Sequence, residues 1–111
     1  MSLDIALYFD ETVTGGEQMY IGDRQNITHN LGNMWEAAGV YDALYESAGQ
    51  ECGQFIPTLE AGLADMKANP DKYKVFNAKN GWGLYENAVP FLEKWIETCK
   101  KYPKAKIWVS R

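Results

Sequence analysis

Leu3-Asp4-Ile5-Ala6-Leu7-Tyr8-Phe9 alternates from one residue to the next. Successive side chains of an extended chain point to opposite faces, so Leu3, Ile5, Leu7 and Phe9 share one side and Asp4, Ala6 and Tyr8 the other. Period two predicts a half-buried strand over these residues. Thr14-Gly15-Gly16 follows as a turn signal, and Gln18 to Ile21 is expected to return as a second strand and close a hairpin. At the other end of the chain, Ala105, Ile107 and Val109 alternate with Lys104, Lys106 and Trp108, which predicts a third strand. Set beside the first strand, it would bring Lys104 and Lys106 near Asp4.

Between the strands the period changes to that of a helix. Leu31, Met34, Trp35 and Ala38 recur at i, i+3, i+4 and i+7, with Thr28 as the expected N-cap and Gly39 as the stop. A short helix is expected near Tyr41–Ser47, and Ala48–Gly53 reads as a flexible connection. Pro57 opens the next helix, whose inner face is Ile56, Leu59, Leu63 and Met66, and Asn69-Pro70 stops it. Asp71–Phe76 adds at most one short turn, and Asn77–Gly83 is an irregular loop. The last helix spans about Leu84–Tyr102, with Leu84, Ala88, Phe91, Leu92, Trp95, Ile96 and Cys99 facing inward. Pro90 inside this pattern either kinks the helix or marks its true start near Val89. The order hairpin, helices, strand predicts one α+β domain over residues 1–111: a small antiparallel sheet with three to four helices packed on one face.

A chain of 111 residues, 46% hydrophobic and 23% charged, has an ordinary globular composition and enough length to build its own core. No apolar run approaches the ~18 residues of a membrane helix, so no membrane is expected as partner. Met1-Ser2-Leu3-Asp4 has no basic, apolar lead-in of the secretory kind. The charge is uneven. Residues 1–66 hold eleven acids and one base, a net −10, while residues 67–111 hold four acids and ten bases, a net +6. Either the acidic half presents an interaction face or the two halves lie side by side and neutralise each other. The acidic half repels phosphate, so nucleic acid is not an expected partner. Cys52 and Cys99 match no metal spacing, and Cys99 reads as a small buried hydrophobe. A disulfide between them, a metal and a cofactor are not expected.

Most catalytic motifs are missing: there is no phosphate-binding glycine loop, no dinucleotide fingerprint and no nucleophile elbow. The carboxylate pair Asp10-Glu11 reads as turn solvation. Two stretches are not explained by periodicity. In Asn26-Ile27-Thr28-His29-Asn30 the polar side chains stand at a helix start, where they either cap backbone donors or help hold an anion. In Asn80-Gly81-Trp82-Gly83-Leu84-Tyr85-Glu86 two glycines let the backbone turn or approach closely around a tryptophan. That tryptophan either plugs the core or, exposed with Tyr85, Asn80 and Glu86, stacks on a planar or sugar ligand. If there is a ligand site, the two stretches are expected to form it together, with His29, Asn30, Asn80, Trp82, Tyr85 and Glu86 as candidate residues. The competing expectation is that they pack on each other, the asparagines tying down loop backbone.

With the stretches Asn26-Ile27-Thr28-His29-Asn30-Leu31-Gly32 and Asn80-Gly81-Trp82-Gly83-Leu84-Tyr85-Glu86-Asn87, and the terminal Val109-Ser110-Arg111, the chain resembles a widespread group of short phage- and prophage-encoded proteins. The resemblance covers most of the chain and implies a compact, phage-linked domain in the cytoplasm of a bacterial host, with no implied activity. The sparse catalytic inventory favours a non-catalytic accessory protein that binds a host protein or a small ligand. A small hydrolase or nucleotide-processing enzyme using His29 with Glu86 or Asp23 is the alternative, and a virion assembly component the third.

Overall fold

The computed structural model describes residues 2–11 and 17–111. Three antiparallel strands, β1 (Ser2–Glu11), β2 (Glu17–Thr28) and β3 (Lys106–Ser110), form one sheet in the order β2-β1-β3. The expected α+β architecture is what is found. The Thr14–Gly16 turn lies outside the described residues, as do the side chains of Asp10 and Glu11. Leu3, Ile5 and Leu7 are fully buried, and their partners across the sheet are Ile27, Val109, Ile107 and Ile21. The opposite face carries Asp4, Ala6 and Tyr8 beside Asn26, Trp108 and Tyr20.

β2 is longer than its sequence suggests. Leu7 pairs with Ile21 but Ile5 pairs with Gln25, so Gly22, Asp23 and Arg24 stand opposite Ala6 alone. Gly22, at φ 72°, takes the left-handed turn that such a bulge requires. Beyond it the ladder resumes as far as Thr28. Gly-Asp looks like a strand end locally; only β1 alongside shows it to be an interruption. The register also corrects the expected charge pairing. Asp4 faces Ser110, and Lys106 faces Tyr8, because Ile107 and Val109 must meet Leu7 and Ile5 on the buried face. The cation at Asp4 is Arg24, at 3.3 Å.

Five α-helices follow: α1 (Gly32–Ala38), α2 (Tyr41–Tyr45), α3 (Ile56–Ala68), α4 (Pro70–Lys74) and α5 (Tyr85–Lys101). A three-residue 3-10 turn, His29–Leu31, leads into α1. The buried faces of α1, α3 and α5 match the helical spacing: Met34 and Trp35, Leu59 and Met66, and Ala88, Phe91, Leu92, Trp95, Ile96 and Cys99 all join one core with the inner sheet face. Gly62 lets α3 cross the end of α1 closely, since a Cβ there would stand 2.4 Å from Val40 Cγ1. Pro90 lies inside α5, which already starts at Tyr85, so the alternative start near Val89 is excluded. The donor that Pro90 lacks would serve the carbonyl of exposed Glu86, where water can take its place.

The Ala48–Gly53 segment is a strand cover and not a loose connection. Gly49 N–H donates to the Ile107 carbonyl at 2.7 Å, Ile107 N–H to Gln50 at 2.9 Å, and Cys52 N–H to Ala105 at 2.9 Å. These bonds occupy the outer edge of β3, which would otherwise offer unpaired backbone groups. The charge asymmetry is partly internal too. Lys72–Asp65, Lys100–Glu60 and Arg111–Glu46 each join the basic part of the chain to the acidic part.

Candidate functional site

The end of β2 and the loop before α5 are brought together, and a cleft of about 660 Å³ lies between them. Asn30 makes the join: its side-chain amide donates to the Trp82 carbonyl at 2.8 Å. Gly83, at φ 117°, is buried against Asn30, and a Cβ on it would stand 2.8 Å from Asn30 Cβ. Both its conformation and its packing therefore call for glycine. Asn80 Oδ1 accepts from the Trp82 N–H at 3.0 Å, and Asn77 Oδ1 accepts from Tyr85 N–H at 2.7 Å, closing the loop onto the first turn of α5. The backbone around Trp82 is thus tied on both sides, while the residue as a whole is 69% exposed. Trp82 does not plug the core.

The cleft floor is apolar, made by Ile27, Leu31 and Phe91, all buried. Its rim is made by Ser2, Asn26, Thr28, Asn30 and Asn87. Asn87 and Phe91 are four residues apart on α5 and so present one face to the end of β2. Asn87 and Phe91 were not among the expected site residues. Their signal in the sequence is that i, i+4 spacing, but which face of α5 meets β2 depends on the packed fold.

Thr28 is the N-cap, its hydroxyl accepting from the Asn30 N–H at 3.2 Å. Asn26 does not cap. It reaches across the strands, donating to Ser2 Oγ at 2.9 Å and to Asp4 Oδ1 at 2.7 Å. That bond and the Arg24 guanidinium hold the Asp4 carboxyl below the usual carboxylate range, against a smaller opposing effect of burial. The alternative of an anion hold at this helix start finds no cationic side chain among the described residues of the cleft lining, and the Asn30 N–H is already taken.

The other candidates point elsewhere. His29 Nδ1 is 2.9 Å from Tyr45 Oη and lines a separate cavity of about 330 Å³ with Gly32, Tyr41, Tyr45 and Arg111. There Tyr41 and Tyr45 stack at 4.5 Å, and the Arg111 guanidinium lies 5.9 Å from the Tyr45 ring. Burial, chiefly, and then Tyr41 push the Tyr45 hydroxyl up to about 12, with Arg111 opposing. Tyr85 turns inward, its hydroxyl donating to the Met66 carbonyl at 2.7 Å. Glu86 is exposed on the first turn of α5 and does not line the cleft. The structure therefore joins Asn30, Asn80 and Trp82, and separates them from His29, Tyr85 and Glu86.

Two further clusters are structural. Cys52 and Cys99 are fully buried, unbridged neighbours: the Cys52 thiol donates to the Tyr102 carbonyl at 3.0 Å and lies 3.8 Å from that of Cys99. The neighbouring Cys52 side chain, and then burial, push the Cys99 thiol up. Asp65 receives Lys72 Nζ at 2.8 Å, Asn69 Nδ2 at 3.0 Å and the Tyr73 hydroxyl, fastening α4 to α3. Among the described residues no group of His, Cys, Asp and Glu could hold a metal ion, and no helix is long and apolar enough to cross a membrane. No family model, no curated protein and no solved structure matches the chain, which leaves its own geometry to speak for its function.

Proposed function

We propose that this chain is a non-catalytic binding module that holds a small ligand in the cleft between β2 and the Asn80–Asn87 segment, in the manner of a phage- or prophage-type accessory protein. One observation carries the reading: the Trp82 backbone is fixed by Asn30 and Asn80 while its ring is left to solvent over a cleft. An indole exposed in this way loses the burial that normally stabilises it. A preformed concavity with an apolar floor and a few convergent polar groups is the usual form of a ligand site. The alternative, a hydrolase using His29 with Glu86, has less support. A general base needs an oriented partner within hydrogen-bond reach, and the partner of His29 is Tyr45.

The test is a nuclear magnetic resonance screen of the full chain against a library of small metabolites. Binding is expected to shift amide signals of residues 26–31 and 80–87, and to weaken in Asn30→Ala. Shifts centred on His29, Tyr41 and Tyr45, or none at all, would overturn the cleft assignment. A second reading, docking of a host protein, is favoured by the outer sheet face. Tyr20 there is 57% exposed and meets Trp108 edge-on at 6.1 Å, with Arg24 5.0 Å from the Trp108 ring. Capture of a host protein by the chain, lost in Tyr20→Ser with Trp108→Ser, checks it; capture unaffected by the pair excludes that face.

A further inference from the structure

The chemistry of the cleft narrows its ligand. Charged residues make up 23% of the chain, yet among the described residues no Asp, Glu, Lys or Arg lines the cleft. Of the charges nearby, Arg24 is paired with Asp4, and Arg24 and Lys94 face a neighbouring cavity that shares Asn26 and Phe91 with the cleft. A phosphate or carboxylate ligand calls for a cation or a set of free N–H groups, and a cationic ligand calls for a carboxylate. The lining offers neither, so the geometry selects against a nucleotide, an anionic metabolite or an amine.

What the lining does offer is a mixture of neutral donors and acceptors. Asn26 and Asn30 use their amide nitrogens within the protein, which leaves each Oδ1 to accept. Thr28 Oγ1 accepts from a backbone N–H, which leaves its own proton to donate. The exposed Asn87 side-chain amide has no hydrogen-bond partner among the described residues. Asn26, Thr28 and Asn30 line the β2 side of the cleft, Asn87 the α5 side, and the exposed Trp82 lines it as well. A ligand that matches must present alternate donors and acceptors along an edge and a flat apolar face to an aromatic ring. Hydroxyl groups each donate and accept. A pyranose ring carries them around its edge while its axial C–H bonds form an apolar face of partly positive hydrogens, which suits the electron-rich face of an indole. A nucleobase is apolar on both faces and gains from a second stacking wall, and the remaining aromatic of the lining, Phe91, is buried in the floor.

We propose that the cleft binds a neutral saccharide, one pyranose ring stacked on Trp82 and its hydroxyls bonded to Thr28, Asn26, Asn30 and Asn87. This rests on the reading of the cleft as a ligand site. The volume of about 660 Å³ lies within the usual range for ligand sites, roughly 300–1,000 Å³. The anchoring of the loop by Asn30 and Gly83 holds the indole in place before the sugar arrives, which lowers the ordering cost of binding.

The experiment uses the full chain on an array of neutral glycans, followed by calorimetric titration with the trisaccharides that score, and in parallel with adenosine and thymidine as uncharged planar probes. Saturable binding of at least one neutral saccharide is expected, at least tenfold weaker in Trp82→Ala, within a few-fold of the parent in Trp82→Phe, and unchanged when salt is raised. Trp82→Ala changes an exposed side chain, and circular dichroism checks that it folds. Trp82-dependent binding of the nucleosides without any saccharide would overturn the sugar assignment and leave the cleft reading intact. Saccharide binding indifferent to Trp82 would overturn the proposal. An absence of Trp82-dependent binding to every probe would overturn both.

Discussion

The Asn30 side chain donates to the Trp82 carbonyl at 2.8 Å across 52 residues of sequence. This one bond joins the end of the hairpin to the loop before the last helix and defines the cleft between them. Removing it in Asn30→Ala should cost about 1 kcal/mol, the net value of an ordinary hydrogen bond. Gly83→Ala should cost more, about 1–3 kcal/mol, because φ 117° is strained for alanine and the new Cβ would meet Asn30 at 2.8 Å. Urea unfolding measures both. Parent-like stability in both variants would mean that the loop is not fastened there.

The tryptophans should divide sharply. Trp95 is fully buried, and Trp95→Ala is expected to cost about 3–5 kcal/mol. Trp82→Ala should stay within about 0.5 kcal/mol, as surface changes do. The midpoints of denaturant curves at constant m-value report the difference. Equal losses would contradict the burial assigned to one of them.

The Asp65 cluster gives an acid-side dependence with a fixed sign. Hydrogen bonds from Lys72 and then Tyr73 lower its carboxyl from the ordinary 3.8. A folded-state value below the unfolded one contributes stability that is full above about 3.8 and is lost as pH falls through the folded value. Asp65→Asn should therefore be less stable than the parent at pH 7, and the gap should close on acidification below 3.8. A gap that stays constant down to the lowest pH at which the chain folds would rule out this coupling.

Tyr45 gives the opposite limb. Its hydroxyl, pushed up to about 12 chiefly by burial, stays neutral in the folded chain after the unfolded chain has begun to ionise near 10. Stability from this group is full below 10 and falls as pH rises toward 12. Tyr45→Phe should flatten that decline, and ultraviolet titration of tyrosinate should show one late-ionising group missing. An unchanged alkaline profile would argue that Tyr45 is more hydrated than its packing indicates.

Cys52 and Cys99, both buried and with Cys99 pushed up, should be inert in the native state. Ellman's reagent at pH 8 should label neither thiol until denaturant is added, and both afterwards. Prompt labelling of the native chain would show that the segment covering β3 opens readily.

Short-range pattern is enough to mark the elements. Alternation in Leu3–Leu7 and Lys104–Val109, and the 3.6 spacing of Leu31–Ala38 and Ala88–Cys99, mark faces that must be buried, and burial of those faces admits little besides a sheet with helices against it; the same patterns ran too far at Phe9, which is exposed, and at Leu84, which precedes the helix. Thr28 as cap, Gly39 as stop and Pro57 in a first turn are read as easily, because each is decided by bonds within a few residues. Features that depend on partners distant in the chain emerge only on folding. The bulge at Gly22 exists only because β1 resumes pairing on its far side. Asn26, Thr28 and Asn30 look alike at a helix start, yet one ties two strands, one caps and one holds a loop. His29 lies one residue from Asn30 and serves a different cavity, because the turn that begins there directs adjacent side chains apart. The sequence already set these two stretches apart and expected them to meet, but a hydrogen bond spanning 52 residues leaves no periodic trace, so which side chains meet became legible only when the chain was folded.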